Sequence, residues 1–201
     1  MKAVLISIQP QWCVRIARGE KTVEVRKSRP KLETPFKVYI YCTNKRPFLA
    51  WGDVFRGNWE TEFTDISGYS RERAEKIWDL FNGKVMGEFI CDNIFEIVED
   101  FNIHDEIPGS PKESWLTWED APDEYDSVEA IEKATCLSMD EISAYMGASD
   151  RCYCWHISKL QIYDDPKPLS SFRKPELPTG LRYENDAIER PPQSYCYVEG
   201  V

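Results

Sequence analysis

The stretch LISIQPQWCVRIARGEKTVEVRKSRP, residues 5–30, changes its hydrophobic period twice along its length. LISI continues a short apolar run that begins at Ala3 and reads as a buried strand. Pro10 suits the first turn of a helix, where its missing N–H is an orphan in any case. Trp12, Cys13, Ile16 and Ala17 then form a stripe at helical spacing, and Gly19 is a natural stop after it. From Thr22 the period falls to two. Val23 and Val25 take one face, and Thr22, Glu24 and Arg26 take the other. Lys21, Glu24 and Arg26 thus gather at the seam between a helix and a strand.

Further strands are expected at KVYIYCT (37–43), at KVMGEFICDNIFEI (84–97) and at RCYCWHISKLQIY (151–163). Gly87, inside the second of these, predicts a bulge or a close backbone approach. Residues 47–68 read as a loop, and Ser70 as the cap of a helix running to Phe81. Residues 100–126 are acidic and punctuated by proline, so they read as loop. Asp126 with Glu129, and Ser138 with Glu141, are capping boxes for two later helices. The tally is five to six short strands with long crossovers. It predicts the α+β class, a small mixed β-barrel with flanking helices and helical inserts.

The chain has 201 residues, with seven Trp and a net charge of −10. Folding at this length buries roughly 70% of the unfolded surface, so no disulfide or metal is required for stability. Within residues 15–31, seven Lys and Arg face two Glu, a net of +5, which leaves −15 for the remainder. So acidic a chain is a poor binder of long polyanions except through that local basic patch. VLISI is too short for a secretory core, and no apolar run approaches the ~20 residues of a membrane span. A cytoplasmic protein with reduced thiols is expected, since its seven Cys form no regular framework. Cys152, Cys154 and His156 share a strand face but lack the paired spacing of a zinc site, so no metal and no cofactor is expected.

The order of these pieces resembles the start of an ASCH domain, in the PUA-like superfamily. The motifs are S-I-x-P at 7–10, G-x-K-x-x-E-x-R at 19–26, the strand KVYIYCT, then GKVMGEF at 83–89. The segment CYCWHISKLQIYDDPKPLSSF and the tail PPQSYCYVEG also look like phage and bacterial ASCH proteins. The resemblance implies a single PUA-like domain over residues 1–201, with variable inserts at about 48–82 and 99–150. It implies a barrel cleft that binds RNA or a nucleotide, with Lys21, Glu24 and Arg26 at that cleft. Some small members are amidohydrolases that deacylate N4-acetylcytidine, and others are reported as ribonucleases. The amidohydrolases carry a Thr nucleophile where this chain has Glu24.

Each candidate has a plain reading beside a functional one. Lys21 is either a solvated cation near a helix end or a partner for phosphate. As a catalytic base it would need burial or a second cation; Arg26 supplies one and Glu24 opposes it. Glu24 is either half of a surface ion pair or a carboxylate that reads an exocyclic amine. Thr22 has a hydroxyl that needs a base within reach to act as nucleophile. Glu88 is an outward strand residue or a second cleft carboxylate. Ser7 and Gln9 either cap the first helix or frame an anion at its N-terminus. Trp12, Tyr41, Trp51 and Trp155 are core residues or stacking platforms, and Trp155 reads as core. Gln193 and Ser194 close the cleft by resemblance alone.

The expected function is a binding module for RNA, single-stranded nucleic acid or a nucleotide. Its ligand set is Ser7, Gln9, Trp12, Lys21, Thr22, Glu24, Arg26, Glu88, Gln193 and Ser194. The alternative is a hydrolase of an N-acylated or modified nucleoside, or of RNA, with Lys21, Glu24 and Glu88 as its catalytic groups. A weaker third reading is an interaction protein whose acidic segment around 92–132 meets a basic partner.

Overall fold

A computed structural model describes residues 2–45, 81–101, 114–176, 179 and 185–200. The expected helix at 70–81 (all but its end), the loop at 47–68 and Trp51 lie outside them. Nine strands and three α-helices are described. In chain order they are β1 (Lys2–Ile8), α1 (Pro10–Ala17), β2 (Val23–Arg26), β3 (Phe36–Cys42), β4 (Lys84–Cys91), β5 (Ile94–Phe101) and β6 (Ser114–Glu119). Then follow α2 (Val128–Thr135), α3 (Met139–Met146), β7 (Arg151–His156), β8 (Ser158–Pro168) and β9 (Tyr195–Glu199).

The strands form two sheets. One runs β8-β4-β3-β1-β9 and the other β2-β7-β5-β6. β1 pairs with β3 in parallel and with β9 in antiparallel. Among the described residues no ladder joins one sheet to the other. Two sheets therefore stand where a closed barrel of five to six strands is expected. The class is α+β, as the sequence indicates.

The miscount has a local cause. KVMGEFICDNIFEI reads as one strand but is two, in different sheets, because Asp92 and Asn93 turn the chain between them. RCYCWHISKLQIY is likewise two strands. The chain changes sheets at Ile157, whose N–H bonds the Thr22 carbonyl at 2.8 Å, and Lys159 follows at φ 48°. SWLTWE, inside the segment read as loop, is strand β6 and pairs with β5.

The helix ends follow their caps. Pro10 opens α1, and Gly19 takes φ 71° after it. Ser138 and Glu141 form the expected capping box of α3. For α2 the cap is Ser127, not Asp126: its hydroxyl accepts from the Ala130 N–H. Gly87 shows the expected close approach, since a Cβ there would lie 2.5 Å from the Gln161 carbonyl oxygen.

Three apolar clusters set the layers. Val4, Ile6, Val38, Ile40, Met86 and Phe89 pack with α1 and Trp155. Val23, Val25, Cys152 and Cys154 face the opposite way, onto α2 and α3. Leu5, Tyr39 and Val85 are covered by Leu169, Phe172 and Ile188. β2 and β7 thus stand between two cores. The face of β2 opposite Val23 and Val25 belongs to Glu24 and Arg26.

Candidate functional site

That face opens into a cavity of about 560 Å³. Its walls come from the end of β1, the start of α1, β2, the residues after β3, one side of α3 and the segment before β9. Lys21, Glu24 and Arg26 line it and are 2%, 6% and 8% exposed. The reading of Lys21 as a solvated helix-end cation is thereby overturned, as is a surface ion pair for Glu24. Once Gly19 has ended α1, the chain reverses and carries Lys21 under the helix.

The three charges form a chain. Lys21 Nζ lies 3.5 Å from Glu24 Oε2, and Arg26 Nε lies 3.0 Å from Glu24 Oε1. The second contact is close but off the N–H direction, so it is an ion pair without a straight hydrogen bond. Lys21 Nζ also donates to the Thr135 carbonyl at 2.6 Å. Arg26 Nη2 donates to the Ser7 carbonyl at 2.6 Å. Lys21 Nζ stands 5.3 Å from the centre of the Trp12 ring, within cation–π range. Two cations share one carboxylate, so the trio carries a surplus positive charge beside the cavity.

Ser7, Gln9, Trp12 and Gln193 also line the cavity. Neither Ser7 nor Gln9 caps α1 through its side chain. The Ser7 hydroxyl instead donates to the Pro192 carbonyl at 2.7 Å, and its N–H bonds the Ser194 carbonyl at 3.0 Å. Those two bonds pin Pro192 and Gln193 over the end of β1. Ser194 contributes backbone and is not among the lining residues.

Two candidates lie elsewhere. Thr22 is not a lining residue; its N–H bonds the Ala134 carbonyl at 2.9 Å and its side chain meets Tyr125. The alternation of β2 aims Thr22 with Glu24, but β2 itself begins only at Val23, so the periodicity does not reach it. Glu88 is on β4, away from the cavity, where it accepts from Lys37 Nζ at 2.7 Å and from the Tyr163 hydroxyl at 2.5 Å. Burial pushes the Glu88 carboxyl up, and these two hydrogen bonds outweigh it, so the net displacement is downward. Glu88 therefore does not join Lys21 and Glu24 in one catalytic group. Trp155 is fully buried, as expected.

The sequence reading omits one wall. Leu137, Glu141 and Tyr145 line the cavity from α3 and the turn before it. The i, i+4 spacing of Glu141 and Tyr145 is the signal that marks one helix face. Tyr145 is 39% exposed, unusual for so large an apolar ring. Burial pushes its phenol up despite the nearby Arg26, which keeps it neutral. Thr43, also a lining residue, has a buried hydroxyl with no hydrogen-bond partner among the described residues.

Among the described residues, no cluster of three or more His, Cys, Asp or Glu side chains is placed to hold a metal. His156 has Asp92 at 2.6 Å on one nitrogen and Glu124 at 3.8 Å on the other, so these groups flank the ring and do not converge. All seven cysteines are free thiols. No described helix is long and apolar enough to cross a membrane.

No protein-family model matches the chain, and neither does any curated protein. Solved structures do. The crystal structure of ASCH from Zymomonas mobilis is 14% identical, covers 98% of this chain and 87% of its own, and superposes with a TM-score of 0.50. A tyrosine-to-phenylalanine mutant of that protein is also 14% identical, covering 99% and 91% at a TM-score of 0.47. At such identity the likeness concerns the fold, and in fold the chain is similar to an ASCH domain over nearly its whole length, as its own motifs suggest.

Proposed function

We propose that the chain is a nucleic-acid or nucleotide binding module that takes a single base of RNA or single-stranded nucleic acid, or a free nucleoside, into the cavity beside Lys21, Glu24 and Arg26. One observation carries this reading: three charged side chains, all nearly buried, are kept together at the wall of a cavity about 560 Å³ in volume. Removing two cations and a carboxylate from water costs several kcal/mol per ion, and ion pairing rarely exceeds that cost. Such a group is better explained by a ligand than by stability. The volume falls within the roughly 300–1,000 Å³ of small-molecule sites.

Each wall has a role in this reading. Arg26 and Lys21 supply the positive surplus for a carbonyl or phosphate. Glu24, held between them, accepts from an exocyclic amine, as a carboxylate does toward cytosine N4. The Thr43 hydroxyl has hydrogen-bonding capacity to spare. Tyr145, with its exposed ring, offers a face for stacking, and Trp12 lines the same cavity from α1.

The test is calorimetric titration of the protein with cytidine, N4-acetylcytidine, the nucleoside monophosphates and short single-stranded RNA and DNA. Nucleosides are recovered and analysed by mass spectrometry. Binding without turnover is expected, and Arg26→Ala should abolish it. No binding across the panel overturns the reading. Turnover of an acylated nucleoside, lost in Lys21→Ala, replaces it with a hydrolase.

A further inference from the structure

Arg26 lines the cavity, and the chain leaves it through Lys27, Arg29 and Lys31, all three exposed. Among the described residues, none of these three cations has a carboxylate within ion-pair distance. Arg15, Lys37, Arg151 and Arg173 each do. In a chain of net charge −10, a run of cations left without counter-charge stands apart. Glu33, also exposed, is the acid that follows the run. The segment is held in place by its backbone. Pro30 is buried, the Tyr195 hydroxyl donates to the Arg29 carbonyl at 2.8 Å, and the Lys31 N–H donates to the Tyr197 hydroxyl at 2.7 Å. Those bonds engage no charged group, so the Arg29 and Lys31 side chains stay in water. Lys27 Nζ stands 5.3 Å from the centre of the Tyr145 ring, within cation–π range, and Tyr145 lines the cavity. The run therefore starts at the cavity's edge.

We propose that Lys27, Arg29 and Lys31 form a strip that contacts the phosphates of a single-stranded nucleic acid, one base of which enters the cavity. The inference rests on the binding-module reading of that cavity. Phosphate contacts fix where a strand lies and carry no sequence information, which suits exposed Lys and Arg on a fixed backbone. Lys27 keeps its three N–H donors while its charge rests on Tyr145. Extended chain spans at most about 3.6 Å per residue, so Arg29 lies within about 11 Å of Arg26, close enough to serve a strand that enters the cavity. A free nucleoside has nothing to place on the strip. Three contacts also give an acidic chain a short hold on a polyanion, with counterion release confined to one place.

The test measures affinity against salt on the full chain, by calorimetry, for the four ribonucleoside 5′-monophosphates, for single-stranded RNA and DNA hexamers and for hexaglutamate. The variants are Lys27→Gln, Arg29→Gln and Lys31→Gln, singly and together, with thermal melts to confirm folding. Each single-strand phosphate contact contributes a slope of about −0.7 to log K against log salt. The hexamer slope should therefore be steeper than the mononucleotide slope by about 2, a loss of roughly twentyfold between 50 and 200 mM salt. Each single variant should remove about 0.7 of that difference and the triple variant all of it, with mononucleotide affinity unchanged. Equal slopes for hexamer and mononucleotide in the wild type overturn the strip and leave the cavity standing. So does a triple variant that keeps the wild-type hexamer slope. Loss of mononucleotide binding in the triple variant overturns it too, because strip and cavity are then one site. Hexaglutamate binding as tightly as the hexamers overturns the nucleic-acid assignment. Failure of every nucleotide and hexamer to bind the wild type overturns the binding-module reading, and the strip with it.

Discussion

Lys21 Nζ donates to the carbonyl of Thr135 at 2.6 Å, joining residues 114 positions apart. The bond runs from the charged chain of the cavity to the last turn of α2, where carbonyls lack helical partners and favour a cation. It also places α3, which follows, where Leu137, Glu141 and Tyr145 form a wall. A segment that reads as a variable insert is therefore built into the candidate site.

The central carboxylate should be costly to neutralise. Glu24→Gln leaves Lys21 and Arg26 buried together with no counter-charge. Removing one partner of a buried ionic group costs about 3–5 kcal/mol. Urea denaturation should show a loss of that order. A loss under about 1 kcal/mol would mean that water already screens the trio.

Tyr145 should separate binding from stability. Its ring is 39% exposed, so Tyr145→Ala should shift the melting temperature little. If it stacks on a base, affinity should fall by roughly five- to a hundredfold, the range for one stacking contact. Titration calorimetry on the variant checks both halves of the statement.

Gly87 is fixed by backbone contact. A methyl group there meets the Gln161 carbonyl oxygen at 2.5 Å and the Ile162 Cα at 3.1 Å. Neither is the yielding end of a side chain. Gly87→Ala should destabilise by about 1–3 kcal/mol, as overpacking does, and loosen the β4–β8 pairing. Denaturant midpoints and amide exchange at Gln161 and Ile162 check this.

Glu88 should shape the acid limb of stability. Its carboxyl is displaced downward in the fold, because hydrogen bonds from Lys37 and Tyr163 outweigh its burial. A group lowered on folding contributes stability above its unfolded value, about 4.3, and loses it as pH falls through the folded value. Lys37→Met and Tyr163→Phe should each flatten the fall in stability below about pH 4. Melting temperatures between pH 7 and pH 3 check the direction. A steeper acid limb in either variant would contradict it.

How much of this was legible in the residues depends on range. The β1–α1–β2 unit follows from local rules: Pro10 starts the helix, Gly19 ends it, and the change of period places Glu24 and Arg26 opposite Val23 and Val25. Capping by Ser138 and Glu141 is equally local. What the residues hide is the change of sheet. Asp92 and Asn93 interrupt an apolar run without breaking it, and Ile157 passes from one sheet to the other in the middle of alternation. Both give one long strand by periodicity and two short ones in space. The positions of Glu88 and Thr22 are hidden for the same reason, since alternation tells which face a side chain takes but not which sheet or cavity that face meets. Tyr145 is visible only as the i+4 partner of Glu141 on one helix face, with nothing in sequence to say what that face confronts.

The most direct measurement is a ¹H–¹⁵N correlation titration of the labelled protein with the nucleoside monophosphates and N4-acetylcytidine. Saturable shifts should cluster at Trp12, Lys21, Arg26, Thr43 and Tyr145, and should vanish in Arg26→Ala. Shifts centred on Glu88, Lys37 and Tyr163, or none for any ligand, would contradict a base-binding cavity at the Lys21–Glu24–Arg26 chain.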